Sequence, residues 1–325
     1  MQPPRFWHRP PGFWSTILSP LGALYAFGTS RRLARGTALK LGIPVICIGN
    51  INAGGTGKTP TVIAVAQRLQ AMGFTPHIVS RGYGGTLESA TRVDERKHSA
   101  DEVGDEPLLL AAFAPVWVSP DRAQAAKLAE QNGADVVILD DGFQNPSLHK
   151  DLSIVVVDAA RGFGNGKVLP AGPLREPVQV GLARADLLLS IGPNKAQSHF
   201  LEVWGTPPCP HLMGRLAPLQ TGMDWQGSRV LAFAGIGHPQ KFFATVRELG
   251  AEIVKEEPLE DHQPLSQALM LRLENEAMLL GAQLVTTEKD ATRLPDAFRA
   301  KVLTVPVRLE IEDWSALDKA LTRLF

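Results

Sequence analysis

The sequence predicts an α/β protein: a doubly wound, mostly parallel sheet with a second, smaller α/β domain. Three observations predict it. Residues 43–61 read IPVICIGNINAGGTGKTPT, an apolar strand, a glycine-rich turn and a helix start, which is the layout of a phosphate-binding P-loop. Residues 135–140 (DVVILD), 153–157 and 186–191 are nearly unbroken apolar runs, as parallel strands covered on both faces must be. Strand-like and helix-like segments alternate to the end of the chain, which gives a P-loop NTPase-type core with its ligand at the carboxyl ends of the strands.

The 325 residues suit two domains, and 44% hydrophobic content is ordinary for a globular core. Cys47 and Cys209 lie far apart in unrelated contexts, so neither a disulfide framework nor a zinc site is expected, and a reducing compartment is. The net charge is zero but unevenly spread. Residues 1–87 hold nine Lys/Arg and no acid, leaving 24 basic residues against all 33 acidic ones in the remainder. A basic N-terminal end points to an anionic lipid, nucleic acid or phosphorylated substrate.

The N-terminal segment carries Trp7, Phe13, Trp14, Ile17, Leu18, Leu21, Leu24, Tyr25 and Phe27 ahead of Arg31, Arg32 and Arg35. The apolar run contains Pro20 and is shorter than the ~20 residues a membrane span needs. Its cleavage pattern is poor for a secretory signal. Aromatic anchors followed by arginines fit a helix lying in a membrane interface rather than one packed on the protein's own core. The aromatics are interleaved with aliphatics rather than with basic residues, which disfavours nucleic acid.

After the P-loop, 60–72 reads as a helix and 77–80 as a strand. Residues 81–104 are poor in apolar side chains and read as a loop. A helix at 105–113, a strand at 115–118 and a helix at 121–131 lead to the DVVILD strand. Residues 195–227 are Pro-rich and irregular. Strands at 230–234, 251–254, 284–287 and 302–306, with helices at 239–249, 266–280 and 314–325, repeat the alternation. Four segments are therefore expected: an N-terminal interface region (1–40), a P-loop core (41–200), a linker (201–228) and a smaller α/β domain closing over the nucleotide site (229–325).

In the P-loop, Gly54, Gly55 and Gly57 allow a tight curl that aims backbone N–H groups at phosphate. Asn52, Ala53, Thr56, Lys58 and Thr59 complete the expected nucleotide contacts, with Lys58 on the β/γ-phosphates and Thr59 on Mg²⁺. Asn52 stands where the usual pattern has glycine. Asp140 and Asp141 end the DVVILD strand, where a carboxylate sits near the Mg²⁺ of a bound nucleotide. Asp105 and Glu106 open a helix; they either cap it or supply a base for a hydroxyl nucleophile. Arg81, Tyr83, Arg175 and Glu176 lie in glycine-rich loops suited to anionic groups. The 286–290 stretch TTEKD is similar to the base-reading Asn-Lys-x-Asp of GTPases but lacks the spacer and the Asn.

Taken in order, IGNINAGGTGKTP, SRGYGG, GDEP, DDGFQ, FGNGKVLPAGPLREP, FAGIGHPQKFF, DHQ and TTEKDATRL resemble the tetraacyldisaccharide 4′-kinase family, the lipid A kinases, over residues 44–294. The resemblance implies ATP- and Mg²⁺-dependent phosphoryl transfer to the 4′-hydroxyl of an acylated glucosamine disaccharide 1-phosphate, at the cytoplasmic face of the inner membrane. It implies Asp105 as catalytic base paired with His262 from the second domain. Lys58 would act on the phosphates, and Thr59, Asp140 and Asp141 on the metal. Arg81, Tyr83, Glu106, Arg122, Gln144, Arg175 and Glu176 would line the substrate site. One departure is Asn145, where the family usually has His, so any ionic role there is lost. No nucleic-acid or protein partner is expected. The competing reading is a P-loop switch protein; many of those carry Lys before the GG of GGxGKT, where this chain has Ala53, and a switch has no task for DHQ or GPLRE.

Overall fold

The computed structural model describes residues 4–261 and 263–325. A short 3-10 turn at Arg5–His8 precedes α1 (Phe13–Arg35). There follow β1 (Val45–Gly49), α2 (Lys58–Ala71), β2 (Pro76–Ser80), β3 (Thr91–Arg92), α3 (Ala100–Val103), α4 (Asp105–Ala111), β4 (Val116–Val118), α5 (Arg122–Gln131), β5 (Val136–Asp140) and β6 (Leu152–Asp158). Next come α6 (Val178–Leu182), β7 (Leu187–Ile191), α7 (Asn194–Trp204), β8 (His211–Pro218), β9 (Arg229–Ala234), α8 (Pro239–Glu248) and β10 (Glu252–Pro258). The chain ends with α9 (Gln267–Leu280), β11 (Gln283–Thr287), α10 (Glu288–Ala291), α11 (Asp296–Arg299), β12 (Val302–Val305), β13 (Val307–Ile311) and α12 (Ser315–Thr322).

Among the described residues the strands form two sheets. The larger has nine strands in the order β13-β8-β7-β6-β1-β5-β2-β4-β3, the smaller four in the order β10-β9-β11-β12. The small sheet is parallel throughout. In the large sheet only the edge pairs β13–β8 and β3–β4 are antiparallel. Both faces of the large sheet are covered, and the period-2 alternation of β1 shows it. Ile46 and Ile48 pack with α2, while Val45 and Cys47 pack with the alanine face of α5. The small sheet repeats this: Val230, Ala232 and Ala234 meet Phe242 and Phe243 of α8, and Leu231 and Phe233 meet Leu273 of α9.

Two expectations are corrected. Residues 201–228 are not an irregular linker throughout, because β8 pairs in parallel with β7 and extends the large sheet. Nor does the whole of 229–325 belong to the small sheet. β13 returns to pair with β8, and α12 packs Leu317 and Leu321 into the large core. A bidentate Arg68–Asp318 pair fastens α12 to α2 at 2.9 and 2.6 Å. The four strands of the small sheet lie within 229–305.

Pro20 lies inside α1 without ending it. The residues of α1 that are buried are small ones, Ser15, Gly22 and Thr29, seven apart and so on one stripe. A Cβ at Gly22 would lie 2.9 Å from the Val168 carbonyl oxygen, so this stripe rests directly on the 163–171 loop. The large apolar side chains point away. Phe13 is 72% exposed, Trp14 61%, Leu24 68% and Phe27 64%. A helix on a soluble surface has the reverse polarity. No helix among the described residues is long and apolar enough to cross a membrane.

Candidate active site

β5 and β6 are consecutive in the chain but flank β1 on opposite sides. The crevice therefore opens at the carboxyl end of β1, where the P-loop begins. Gly54 and Gly57 take the left-handed φ values +113° and +94° that make the turn. Nothing lies within 4 Å of a Cβ placed at Gly54 or Gly55, so this part of the loop faces open space. Asn50 Nδ2 braces the turn from inside, donating to the Gly54 carbonyl at 3.2 Å and to Thr56 Oγ1 at 3.0 Å. The Asn52 amide, in the place of the usual glycine, donates to the Gly162 carbonyl at 3.0 Å. Ala53 N–H donates to Pro173 O at 2.7 Å. These two residues shape the loop and tie it to the Gly172–Glu176 segment, and the Ala53 N–H is thereby turned from phosphate to protein.

The two aspartates at the end of β5 have opposite environments. Asp140 is 2% exposed; its Oδ2 accepts from Ser80 Oγ at 3.1 Å and its Oδ1 has no protein partner. Burial, reinforced by the charges of Glu106 and Asp141, pushes its carboxyl up to about 7. Asp141 is at φ +49°, a conformation aspartate tolerates better than most side chains. Burial would raise its carboxyl as well, but Lys58, Arg175 and Arg122 outweigh that and hold it below the usual range. Lys58 Nζ is 3.7 Å from Asp141 Oδ1, and Arg175 NH1 is 3.5 Å from both carboxylate oxygens. Arg122 NH2 donates to the Asp141 carbonyl at 3.2 Å.

A buried carboxylate with one unpartnered oxygen, beside a second carboxylate and the Thr59-bearing helix, fits a hard divalent cation. Among the described residues no three His, Cys, Asp or Glu side chains form a complete metal cage. A Mg²⁺ here would draw its remaining ligands from phosphate and water, as that ion commonly does. The raised Asp140 carboxyl fixes a sign. Folded Asp140 holds its proton more tightly than the unfolded chain, so without a cation stability falls as pH rises from ~4 to ~7. Asp140→Asn is therefore expected to raise the nucleotide-free Tm at pH 8 by roughly 2–5 °C, and to reduce the further rise on adding Mg²⁺ and ATP. Differential scanning fluorimetry checks both; a lower nucleotide-free Tm in the variant would rule out burial of charge as the cause.

Gln144, Arg175 and Glu176 form a network behind the aspartates. Gln144 Nε2 donates to the Asn50 carbonyl at 2.8 Å and to Glu176 Oε1 at 2.9 Å, while its Oε1 accepts from Arg175 at 3.3 Å. Glu176 is buried and paired with Arg184 at 2.6 Å. Arg184 lies over the Phe143 ring and donates to the Phe143 carbonyl. Gln144 and Glu176 thus support Arg175 from behind. Arg184 has no motif signal in the sequence; only its pairing reveals it. Asn145 accepts from the N–H and the hydroxyl of Ser147 at 2.7 and 2.6 Å, closing a turn. That is a structural role needing no charge.

The third component is the start of α4. Gly104, at φ +90°, caps it, and a Cβ there would lie 2.7 Å from the Tyr83 carbonyl oxygen. This places the Arg81–Gly85 turn beside Asp105. Asp105 is buried, and its Oδ1 accepts from the Glu106 N–H at 2.9 Å. Its Oδ2 faces Arg293 Nε at 3.7 Å and Lys289 Nζ at 3.9 Å, both from the small-sheet lobe. Lys289 also meets Glu106 Oε1 at 3.0 Å and Asp261 Oδ1 at 3.9 Å. The lobes also approach each other at the P-loop, where a Cβ on Gly237 would lie 4.0 Å from the Gly55 nitrogen. His262, expected as the partner of Asp105, lies outside the described residues. The TTEKD turn, similar in sequence to a base-reading motif, directs Lys289 at the Asp105–Glu106 pair.

A family model described as tetraacyldisaccharide-1-P 4′-kinase matches residues 14–325. The chain is 61% identical over 325 residues to the tetraacyldisaccharide 4′-kinase of Jannaschia sp., covering 100% of this chain and 99% of that one. It is 62% identical over 330 positions to the enzyme of the same name from Dinoroseobacter shibae, covering 100% and 98%. A crystal structure of LpxK from Aquifex aeolicus in complex with ATP is similar at TM-score 0.77 and 27% identity, covering 96% of this chain and 100% of that one. With its motifs, its fold and relatives matched end to end in agreement, the chain belongs to the tetraacyldisaccharide-1-P 4′-kinase family.

Proposed function

We propose that the protein transfers the γ-phosphate of ATP to the 4′-hydroxyl of a tetraacylated glucosamine disaccharide 1-phosphate. The observation that carries this reading is the position of Asp105. It is a buried carboxylate on α4 whose neighbour Glu106 is close enough to act on Asp140 at the metal position. Lys58 and the P-loop amides hold the phosphates; Thr59, Asp140 and Asp141 are the residues to hold Mg²⁺. The ion, when bound, neutralises phosphate charge during transfer. Arg122 and Arg175 supply fixed positive charge beside it. Asp105 takes the proton of the acceptor hydroxyl, whose oxygen bonds to the γ-phosphorus as the bond to the bridging oxygen of ADP breaks. His262 orients Asp105 on this reading, and Arg81 and Tyr83 border the acceptor. Residues 229–305 act as a unit that closes over the nucleotide and excludes water.

The test is transfer from γ-labelled ATP to tetraacyl disaccharide 1-phosphate in detergent micelles. Labelled lipid is the expected result. Hydrolysis of ATP without labelled lipid would support the switch-protein reading instead.

The outward apolar face of α1 and its closing Arg31, Arg32 and Arg35 support seating at the anionic cytoplasmic face of the inner membrane. Changing Trp14, Leu21 and Phe27 together to serine leaves the small buried stripe of α1 untouched. Partition onto anionic vesicles is expected to drop by at least about tenfold, read by co-sedimentation. Unchanged partition would refute the interface helix.

A further inference from the structure

Lys289 and Arg293 stand out because the transfer chemistry described above makes no use of them. Both come from the small-sheet lobe, 184 or more positions beyond Asp105 in the chain, and both converge on it. Their turn is braced at several points. Thr287 Oγ1 accepts from Asp290 N–H at 3.0 Å, closing the turn. Buried Asp290 accepts from the Gly235 N–H at 3.1 Å and pairs with Arg293. Arg293 in turn donates to the Gln263 carbonyl at 3.0 Å and the Gly235 carbonyl at 3.3 Å. The turn is thus fixed to the two loops that border the cleft on the small-lobe side. Lys289 leaves this rigid base and crosses to the first turn of α4, ending 3.0 Å from Glu106 and 3.9 Å from Asp105.

A surface ion pair on flexible stems would explain little. This one differs in burial and in number of partners. The Lys289 side chain is 17% exposed and that of Arg293 11%. Burial alone would lower the Lys289 ammonium, but Glu106, Asp105 and Asp261 together hold it above its ordinary value. Two cations from one braced turn therefore face one carboxylate. Oδ1 is engaged by the Glu106 N–H, and both cations lie against Oδ2.

We propose that Lys289 is a positioning residue for phosphoryl transfer, reaching across the cleft to hold Asp105 and Glu106 in their working orientation when the lobes meet. The inference rests on the reading of Asp105 as the base. It makes the base competent only when the small lobe is in contact, which couples closure to chemistry. The nucleotide phosphates are bound by another element, the P-loop, so the effect falls on turnover rather than on ATP affinity.

The test compares Lys289→Met, which keeps the stem and removes the charge, with Lys289→Arg, which keeps the charge. Lys289→Met is expected to lower kcat by about 30–100-fold with KM for ATP within about threefold of wild type. Lys289→Arg is expected to recover kcat to within about fivefold of wild type. A Lys289→Met kcat within threefold of wild type, while Asp105→Ala is inactive, overturns the role of Lys289 and leaves Asp105 standing. A matching rise in KM for ATP, or no recovery with arginine, also overturns it. An active Asp105→Ala would remove the base reading itself. Should Lys289→Met not fold, the charge-balanced Lys289→Met/Glu106→Gln variant replaces it. Its kcat is expected at least tenfold below that of Glu106→Gln alone, and equal values overturn the proposal.

Discussion

Asp105→Ala is expected to lower kcat by about 10²–10⁴-fold, the range for loss of a positioned general base, with the dissociation constant for ATP unchanged within about threefold. A sugar hydroxyl is a poor nucleophile until its proton has somewhere to go. On the proposed reading Asp105 offers that place from α4, while the phosphate-binding groups sit on the P-loop and α2, so the two functions separate. The fold should survive the change. Lys289 keeps Glu106 and Asp261, and Arg293 keeps Asp290 and two carbonyl acceptors, so no buried cation is stranded. Asp105→Asn sharpens the test. It retains an acceptor for the Glu106 N–H but has no basicity, so it should lose as much turnover as alanine does. Single-turnover transfer with labelled ATP measures kcat, and equilibrium titration measures affinity. Equal loss of affinity and turnover would refute the base assignment.

What was legible in the sequence was what local chemistry determines. The strand, turn and helix of the P-loop each carry their own signal within 19 residues. The buried runs of β5, β6 and β7 need no partner to be recognised. The acidic strand end at Asp140 and Asp141 follows from the same local logic. β8 and β13 were not legible because β8 is held by β7 and β13, and β13 by β8, rather than each by its own pattern. β8 is preceded by Pro207, Pro208 and Pro210 and ends on Pro218, which read as loop, and its partner β13 lies about ninety residues on. The Asp105 ambiguity, cap or base, was local too. The structure gives the cap position to Gly104 and leaves Asp105 in the first turn facing two cations from the other lobe. The direction of the TTEKD turn was not legible either. Its likeness to a base-reading motif was local, but its direction is set by Asp290 and Arg293 binding the neighbouring loops. Asn52 also departs from its motif for a tertiary reason, the Gly162 carbonyl that its side chain reaches.

Lys58→Ala is expected to fail differently from Asp105→Ala, losing binding and turnover together. The ammonium sits at the start of α2, between the phosphate-facing loop and Asp141. Charge-assisted contacts to phosphate are each worth about 1.5–3 kcal/mol, so ATP affinity should weaken by about tenfold to a hundredfold. On the proposed reading the same charge stabilises the transferring group, and removing one such donor costs a further ~10²–10³ in kcat. The apo protein has a compensation that keeps this variant folded. Asp141 retains Arg175 at 3.5 Å and the nearby Arg122, so its carboxylate stays paired without Lys58. Asp140 has no such reserve. Burial already raises its carboxyl, and the Lys58 charge works against that rise. Lys58→Ala should therefore drive Asp140 further toward its protonated form and weaken Mg²⁺ binding in parallel. The two variants then give different dependences on free Mg²⁺. The small residual turnover of Lys58→Ala should rise with added Mg²⁺ well beyond wild-type saturation, while that of Asp105→Ala should saturate as wild type does. Identical Mg²⁺ profiles for the two would mean that Lys58 and Asp140 do not share the metal-binding end of the site.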